Sequence, residues 1–539
     1  MSSAPPLPRT PRPSHGDSDG DDRSDRDRTD DRAGSAGTRR SRVTDAVLVG
    51  LAATAIAVLF SWVPSLWYDE AATVVSATRS WAALGRMLTT VDVVHATYYA
   101  GMHLWFDVVG YSPFTLRLPS ALATGGAAAL TVVLGRMLAT RRIGLLAGVV
   151  FCVLPRVTWM GLEGRSFALG TLLAVASTIL FVTAARRSAR RWWIAYAAVA
   201  ILSSAVFLYL VLVVVAHGVS AVLALLRARK RHAGLRASGW ATSRPILRWT
   251  LAAALTVVAI LPLAVLASRQ SGQIHWIPRP SLHTVEEVVT TQWFYENGAF
   301  AAVAWALILI GVVAALRRPG QAEGRTARDV LLIAAPWMAV PTLGLIAVSL
   351  VHTPLYSPRY VTFGAPAAAL AIAVGLDRLP WRRAVPLLVA VLVALSLPTI
   401  VAQRQVTAKD DSAWNRVAAL VSRERAREPR DTRDAVVYGP VDRHPLTTSR
   451  IIADSYPTAF RGLDDIALRT PASETDRMWA SDRPLGSVLG KAQDARSVWL
   501  LTGTAHDIAT TLTPELRRDG FHVGQSWRVS RTIVVRYDR

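Results

Sequence analysis

Cysteine is almost absent from this sequence of 539 residues, and other common features are missing too. Cys152 is the single cysteine, so the chain cannot form an intramolecular disulfide. The first 42 residues lack the short apolar core of a secretory signal. No Gly-rich loop follows a predicted strand, which argues against a nucleotide-phosphate cradle of that kind. We found no internal repeat.

Charged residues are scarce, whereas apolar residues are abundant. Only 18% of the residues are charged and 52% are hydrophobic, with a mean hydropathy of +0.30. A soluble protein of this size does not need so much apolar surface, so the composition indicates a polytopic α-helical membrane protein. The net charge of +22 would suggest nucleic-acid binding in a soluble protein. Here the arginines cluster in short loops between apolar runs, so no nucleic-acid partner is predicted.

About eleven apolar runs approach or exceed the length that crosses a bilayer. They are 43–64, 117–138, 142–160, 166–185, 192–209, 210–226, 248–267, 299–316, 329–351, 361–377 and 384–402. Basic loops fall alternately between them, at 139–142, 185–193, 227–232, 317–328 and 377–383. The positive-inside rule therefore places these loops and the N-terminus in the cytoplasm, and the intervening loops outside. We expect a multi-pass protein of the plasma membrane.

The chain divides into three predicted regions. Residues 1–42 are rich in Ser, Pro, Asp, Arg and Gly and predict a disordered cytoplasmic tail. Residues 43–402 form the transmembrane domain, whose first outer loop spans 65–116. Within that loop, 94–109 is short and carries His and Asp side chains, so we interpret it as an amphipathic helix at the outer interface.

The third region, residues 403–539, has the polarity of a soluble domain. Strand-like runs at 434–439, 497–503 and 531–538 alternate with helical patterns such as 412–426. The pattern predicts a small extracytoplasmic α/β domain.

An adjacent acid pair, Asp69 and Glu70, directly follows the first apolar run, in the stretch WYDEA. A charged residue at the membrane edge usually has a functional role. The alternative is that the pair caps an interfacial helix or is a solvated charge in a loop. Two adjacent carboxylates repel, which is expected to raise the pKa of one toward the range useful for proton transfer. The outer segments 161–170, 268–298 and 352–360 bring further acids, arginines and aromatics to the same surface.

Four motifs carry a resemblance to a known family: WYDEA, HATYYAGMHLWFDVVGYSPFTLRLPS (95–120), EGRSFAL (163–169) and YSPRYV. In order and spacing they resemble the GT-C superfamily of membrane glycosyltransferases, in particular the family of protein O-mannosyltransferases and lipid A aminoarabinose transferases. Ala96 and Thr97 replace the family's prolines, and Gly164 and Phe167 replace its usual Ala and Tyr. The resemblance implies a GT-C fold and a sugar donor on polyprenyl phosphate.

The resemblance also implies roles for the site residues. Asp69 would be the general base that deprotonates an acceptor hydroxyl, with Glu70 supporting it or placing the acceptor. Arg165 and Arg359 would hold the donor phosphate, although either could instead anchor to lipid headgroups. The remaining candidate substrate contacts are His95, Tyr98, Tyr99, Glu163 and Tyr360.

Each of these remaining residues has a second interpretation. Glu163 either pairs with Arg165 or contacts substrate. His95 orients the donor phosphate, hydrogen-bonds Asp69 or is structural. The tyrosines serve as interface aromatics or as sugar-stacking platforms.

The resulting hypothesis is an inverting transfer of a sugar from a polyprenyl-phosphate donor to an extracytoplasmic acceptor, with mannose as the first choice and arabinose or another sugar next. The acceptor would be a glycan, lipid or protein of the cell envelope, and membrane lipids are the other partners. No cofactor is expected, because the lipid-linked sugar is a substrate. No metal is expected either, because the spacing of the 268–298 candidates fits no zinc motif. Those candidates are His275, His283, Glu286, Glu287 and Glu296.

Two other functions remain open. A polytopic transporter or lipid flippase would concentrate its ionisable residues at midmembrane and usually show a repeat. A noncatalytic scaffold would require the acid pair to be dispensable.

The predicted topology can be tested with single cysteines. In a Cys152→Ala background, we expect a membrane-impermeant maleimide added to intact cells to label a Ser271→Cys variant but not a Ser238→Cys variant, because only the 268–298 loop is predicted outside. Both should be labelled after permeabilisation. Labelling of Ser238→Cys alone in intact cells would invert the topology.

Overall fold

A computed structural model describes residues 43–187, 189–231, 244–317, 322–428 and 433–539. The predicted disordered tail, 1–42, lies outside the described residues. Long helices make up most of the described chain, and a mixed sheet forms the C-terminal part.

The segment 65–116, predicted as the first outer loop, is largely helical. Helix α1 (Val43–Val58) leads into α2 (Tyr68–Ala77), α3 (Trp81–Thr90) and α4 (Ala96–Val109), and a single 3-10 turn at Val93–His95 precedes α4. The helix expected at 94–109 is therefore confirmed. It buries Tyr98, Tyr99, Met102, His103 and Phe106 on its inner face.

The remaining helices of the apolar region follow in chain order. They are α5 (Pro113–Leu138), α6 (Arg141–Val153), α7 (Pro155–Met160), α8 (Phe167–Arg187), α9 (Arg190–Val206), α10 (Val211–Arg231), α11 (Arg244–Arg269), α12 (Leu282–Glu286), α13 (Gly298–Arg317), α14 (Ala322–Val351), α15 (Ala365–Arg378) and α16 (Ala384–Ala402). Eight helical stretches of the described chain are long and apolar enough to cross a membrane. They correspond to eight of the predicted spans, and the other three coincide with the shorter helices α1, α6 with α7, and α9. The predicted polytopic helical fold is confirmed.

Helix α15 lies at the centre of the bundle. Every residue from Ala365 to Leu376 is buried. The segment is rich in alanine, which allows neighbouring helices to approach closely. A Cβ on Gly375 would lie 2.0 Å from the carbonyl oxygen of Leu307, so α13 and α15 touch through backbone. A short 3-10 stretch, Pro358–Gly364, precedes α15 and places Arg359 beside α2, where it donates to Asp69.

The C-terminal part is an α/β domain. Its helices are α17 (Trp414–Arg425), α18 (Arg450–Ser455), α19 (Pro457–Phe460) and α20 (Ala509–Arg518), and its strands are β1 (Asp434–Tyr438), β2 (Pro440–Val441), β3 (His444–Thr448), β4 (Leu463–Asp465), β5 (Leu468–Thr470), β6 (Ser481–Asp482), β7 (Ser497–Gly503), β8 (His522–Val529) and β9 (Thr532–Asp538). The main sheet has the order β4-β1-β7-β9-β8. Strand β1 is parallel to β4 and β7, whereas β9 is antiparallel to β7 and β8. The three predicted strands and the predicted helix are confirmed.

This domain packs directly on the segment 65–116. Trp414 and Trp499 share a hydrophobic core with Leu66 and Val74 of that segment. The buried Arg79 donates hydrogen bonds to the carbonyl oxygens of Thr475, Arg477 and Met478, at 3.1, 2.8 and 2.7 Å. The chain entering the domain is also held beside α2, because Lys409 Nζ donates to Glu70 Oε1 at 2.8 Å.

Candidate active site

Asp69 lies in the first turn of α2, where a carboxylate is favoured by the helix dipole. Its Oδ2 accepts a hydrogen bond from Arg359 Nη1 at 3.1 Å, and its backbone carbonyl accepts one from Arg165 Nη1 at 3.2 Å. The side chain is 23% exposed. The structure thus brings together three predicted site residues from three separate outer segments.

Glu70, the next residue, is fully buried and faces other partners. Its two oxygens accept from Arg117 Nε and Nη2 at 2.8 and 2.7 Å, and Oε1 also accepts from Lys409 Nζ at 2.8 Å. Burial by itself raises the pKa of Glu70, but Arg117 and Lys409 outweigh burial and lower the pKa to about 2. The expectation that repulsion between the paired acids raises a pKa is therefore wrong for Glu70. Consecutive helical residues do not face each other, so each acid meets its own cations.

Glu70, Arg117, Glu163 and Lys409 form a buried group of two anions and two cations, which we call the charge cluster. Lys409 Nζ lies 3.1 Å from Glu163 Oε1 and donates to the carbonyl of Leu162 at 2.6 Å. Glu163 therefore pairs with Lys409 and not with Arg165, the partner in one of the two interpretations that the sequence left open. Glu163 also accepts from Trp67 Nε1 at 3.1 Å.

Arg117 uses every one of its N–H groups within the cluster and the preceding loop. Besides Glu70, it donates to the carbonyls of Ser61, Pro64 and Ser65, at 2.6, 2.8 and 3.1 Å. These bonds fix the end of the first predicted span against the start of α5. An arginine suits this position because its planar fork meets a carboxylate with two bonds and still has donors for carbonyls.

Gly164 explains one of the departures from the family pattern. Its amide donates to Glu70 Oε1 at 2.9 Å. A Cβ there would lie 2.7 Å from Leu116 Cγ, so a larger residue would push against the side chain that packs over this turn. Glycine lets the turn approach both Leu116 and the charge cluster.

Arg165 connects Asp69 to α4 and its preceding turn. It donates to the Tyr99 hydroxyl at 3.0 Å, to His95 Nε2 at 2.7 Å and to the Asp69 carbonyl. Its buried Nε–H has no hydrogen-bond partner among the described residues. The guanidinium is therefore held in place and still has donors for an incoming anion.

His95 bonds to Arg165 and not to Asp69, the partner that the sequence suggested. Arginine can only donate, so Nε2 accepts and Nδ1 carries the proton. That Nδ1 is buried without a partner in the described part of the chain. Burial, together with the charge of Arg165, lowers the pKa of His95 well below its ordinary value, so the ring is neutral at neutral pH.

The three predicted tyrosines are arranged around these arginines. Tyr99 donates to Asp92 Oδ2 at 2.5 Å, and Tyr98 lies beside it with a ring separation of 6.4 Å. Burial raises the pKa of the Tyr98 hydroxyl, which keeps it protonated. The Tyr360 ring centre lies 5.5 Å from the Arg359 guanidinium and 6.1 Å from the Phe207 ring centre.

An open cavity of about 380 Å³ adjoins Arg359. Three cations, Arg156, Arg359 and Lys409, line it together with the aromatic rings of Trp159 and Trp276. Four acidic residues also line it: Glu163, Glu287, Glu296 and Asp410. The Arg359 guanidinium lies 4.6 Å from the Trp276 ring centre, a cation–π contact. The cavity thus offers charged groups of both signs beside flat apolar faces.

The acidic and histidine candidates of the 268–298 loop do not converge. His283 Nδ1 lies 3.1 Å from Glu286 Oε2 at an exposed position. Across the described ranges, no group of three or more His, Cys, Asp or Glu side chains is arranged to hold a metal ion.

Sequence reasoning missed Arg117, Lys409, Asp92 and the cavity residue Arg156. Arg117 stands within the RLPS part of the quoted motif, where a buried cation would have been a reasonable inference. Lys409 is one of only three lysines in a chain otherwise rich in arginine. Neither signal identifies the partner, because each partner lies far away in the sequence.

Solved structures of similar architecture come from ArnT, a lipid A aminoarabinose transferase. The apo structure of ArnT from Cupriavidus metallidurans has a TM-score of 0.55 at 14% identity, covering 93% of this chain and 98% of that chain. The same protein bound to undecaprenyl phosphate gives 0.53 at 13% identity, with coverages of 93% and 98%. The chain has the GT-C fold. The predicted GT-C architecture is thereby confirmed, and at these identities the likeness is one of fold.

A weaker similarity, with a TM-score of 0.45 and 12% identity, is to an oligosaccharyltransferase of Archaeoglobus fulgidus in complex with Zn and sulfate; it covers 91% of this chain and 72% of that one. No protein-family model matches this chain, and no curated protein sequence matches it.

The neutral, buried state of His95 predicts a pH-dependent stability. Because its pKa in the folded chain lies below the ordinary 6.5, the unfolded chain binds the proton first, and stability is lost as the pH falls below that value. One such group contributes at most about 1.4 kcal/mol per pH unit. We expect thermal unfolding in detergent between pH 7.5 and 5.0 to show a shallower loss for His95→Gln than for the wild type. Equal slopes would show that His95 is not held neutral.

Proposed function

We propose that this chain is an inverting membrane glycosyltransferase that moves a sugar from a polyprenyl-phosphate donor to an acceptor hydroxyl on the extracytoplasmic side. One observation carries the proposal: the partly exposed carboxylate of Asp69 accepts a hydrogen bond from Arg359, a residue that lines the cavity, while Arg165 donates to the Asp69 backbone carbonyl. The fold adds support, because an ArnT structure of the same fold holds undecaprenyl phosphate.

In the proposed reaction, Asp69 is the general base. Arg359 occupies Oδ2, which leaves the other carboxylate oxygen to take the proton of the acceptor hydroxyl. The acceptor oxygen then bonds to C1 of the sugar, and the bond from C1 to the phosphate oxygen breaks. The electron pair of that bond leaves with the polyprenyl phosphate.

The arginines are proposed to stabilise the charge that develops on the leaving phosphate. Arg359 uses one N–H on Asp69, and its buried Nε–H has no hydrogen-bond partner among the described residues. Arg165 likewise has an unused Nε–H, and the protonated Nδ1 of the neutral His95 is a third donor. Donors that are already oriented cost little reorganisation as charge moves onto the phosphate.

Glu70 has a positioning role in this proposal. Its oxygens accept four hydrogen bonds from Arg117, Lys409 and Gly164, and its side chain is fully buried. It therefore holds α2, and with it the preceding residue, in place. Glu163 has a similar supporting role, because it is buried against Lys409 and Trp67.

The sugar and acceptor belong to the cell envelope in our proposal. Mannose is the first choice of sugar and arabinose the second, with a glycan, glycolipid or glycoprotein as acceptor. The rings of Trp159 and Trp276 in the cavity lining suit the apolar face of a sugar. In the proposed topology, the 43–402 region spans the membrane, the N-terminus is cytoplasmic, and the 403–539 domain lies outside.

The proposal is tested by sugar transfer. Purified wild type and Asp69→Asn, at equal protein amounts, are supplied with radiolabelled polyprenyl phosphate mannose, then with the arabinose donor, in the presence of envelope acceptors. We expect the wild type to transfer one of the sugars and Asp69→Asn to lose transfer by roughly 10²–10⁴-fold, the range for general base catalysis.

The matched control for this test is Asp107→Asn, in α4, whose side chain is 61% exposed and lies away from the arginines. It should transfer sugar as the wild type does. Equal transfer by Asp69→Asn and wild type would contradict the assignment of the base.

A further inference from the structure

Asp92 has no role in the site described so far. It is nevertheless connected to Arg165, a site residue, through the hydroxyl of Tyr99. Its Oδ2 accepts from the Tyr99 hydroxyl at 2.5 Å, and the same hydroxyl oxygen accepts from Arg165 Nη1 at 3.0 Å. Asp92 itself has a left-handed backbone, with φ of +59°, an uncommon conformation for a residue other than glycine.

The chemistry of the three groups fixes the direction of these hydrogen bonds. The hydroxyl has one hydrogen, which goes to the carboxylate, so its lone pairs face the guanidinium. The negative charge of Asp92 polarises the hydroxyl and strengthens its acceptance from Arg165. Without the carboxylate, the Tyr99 hydrogen could rotate toward Arg165 and the second bond would be lost.

The same residue is held from the other side by the segment that follows α11. The Gln273 amide, oriented by its hydrogen bonds, donates to Asp92 Oδ1 at 2.8 Å and accepts from the Asp92 amide at 3.0 Å. Gln270 accepts from the Val93 amide at 2.9 Å and donates to the Leu88 carbonyl at 3.0 Å. Three residues after Gln273, Trp276 lies against the Arg359 guanidinium.

One short segment, 270–276, therefore contacts both Asp92, which is connected to Arg165, and Arg359 itself. It reaches Arg165 through Asp92 and Tyr99, and it contacts Arg359 directly through the indole ring of Trp276.

We propose that Asp92 is a positioning residue that, through Tyr99, orients Arg165 for the phosphate of the lipid-linked donor. The inference rests on the proposed function, because it takes Arg165 to be a phosphate-binding group. Loss of the Asp92 charge then weakens donor binding and leaves acceptor binding unchanged.

Two substitutions remove this connection at different points. Asp92→Asn removes the charge and keeps the left-handed backbone, which asparagine tolerates. Tyr99→Phe removes the connecting hydroxyl and keeps both Asp92 and the packing of the ring. Controls of the same chemical type are Asp107→Asn and Tyr111→Phe, the latter losing a buried hydroxyl that donates to the Ser455 carbonyl at 2.6 Å.

The experiment measures the Kd of the purified full chain for undecaprenyl phosphate and, separately, the KM for donor and for acceptor. We expect each single variant to raise the Kd and the donor KM roughly tenfold, as for loss of one hydrogen bond to a charged group, with the acceptor KM unchanged. The Kd of the double variant should be no higher than that of the single variant with the higher Kd, because both changes break the same connection. Thermal unfolding confirms that each variant is folded.

Three results would overturn the inference. In the first, Asp92→Asn and Tyr99→Phe bind as the wild type does, while Arg165→Gln binds weakly; the proposed function then stands and only the role of Asp92 fails. In the second, the double variant loses affinity by the product of the single effects, which makes Asp92 and Tyr99 independent. In the third, Arg165→Gln also binds as the wild type, and the proposed phosphate site fails together with the inference.

Discussion

The geometry of the site depends on the buried charge cluster of Glu70, Arg117, Glu163 and Lys409. Four ionised groups out of water carry a large desolvation cost, which is offset only when each is paired and hydrogen-bonded. Here the charges balance, and the remaining donors of the two cations bind backbone carbonyls. The cluster joins α2, α5, the turn before α8 and the chain entering the C-terminal domain. Removal of one member would leave an uncompensated charge among all four elements.

This arrangement divides the work of the two adjacent acids. Glu70 points inward and its oxygens are saturated, so α2 is fixed at its first turn. Asp69 stays partly exposed, with its carboxylate bonded to Arg359 and its backbone carbonyl bonded to Arg165. In the proposed reaction the inner acid supplies rigidity and the outer acid supplies chemistry. The C-terminal domain belongs to the same arrangement, because Lys409 reaches both Glu70 and Glu163 from its leading segment.

Much of the fold could be predicted from local sequence, because apolar run length and basic loops report on spans without knowledge of contacts. The helix α4 and the strands β1, β7 and β9 were also predictable, because their local patterns of apolar and polar residues indicate them. The edge strand β8 is largely exposed and shows no such pattern. The convergence of Asp69, Arg165 and Arg359 followed from motif order. Their partners did not, because Lys409 lies 339 positions from Glu70 and sequence spacing holds no record of that contact. Closeness in the chain did not identify the partner of Glu163, which is Lys409 and not Arg165.

The central claim, that a balanced charge cluster holds the site together, is tested most directly by the thermal stability of Lys409→Met alone and combined with Glu163→Gln. The single change leaves two buried anions facing one cation, and we expect it to cost about 3–5 kcal/mol. The combined change removes one charge of each sign and leaves the Glu70–Arg117 pair intact, so most of the lost stability should return. If the loss of stability in the double variant equals the sum of the losses in the two single variants, charge balance does not hold this site together.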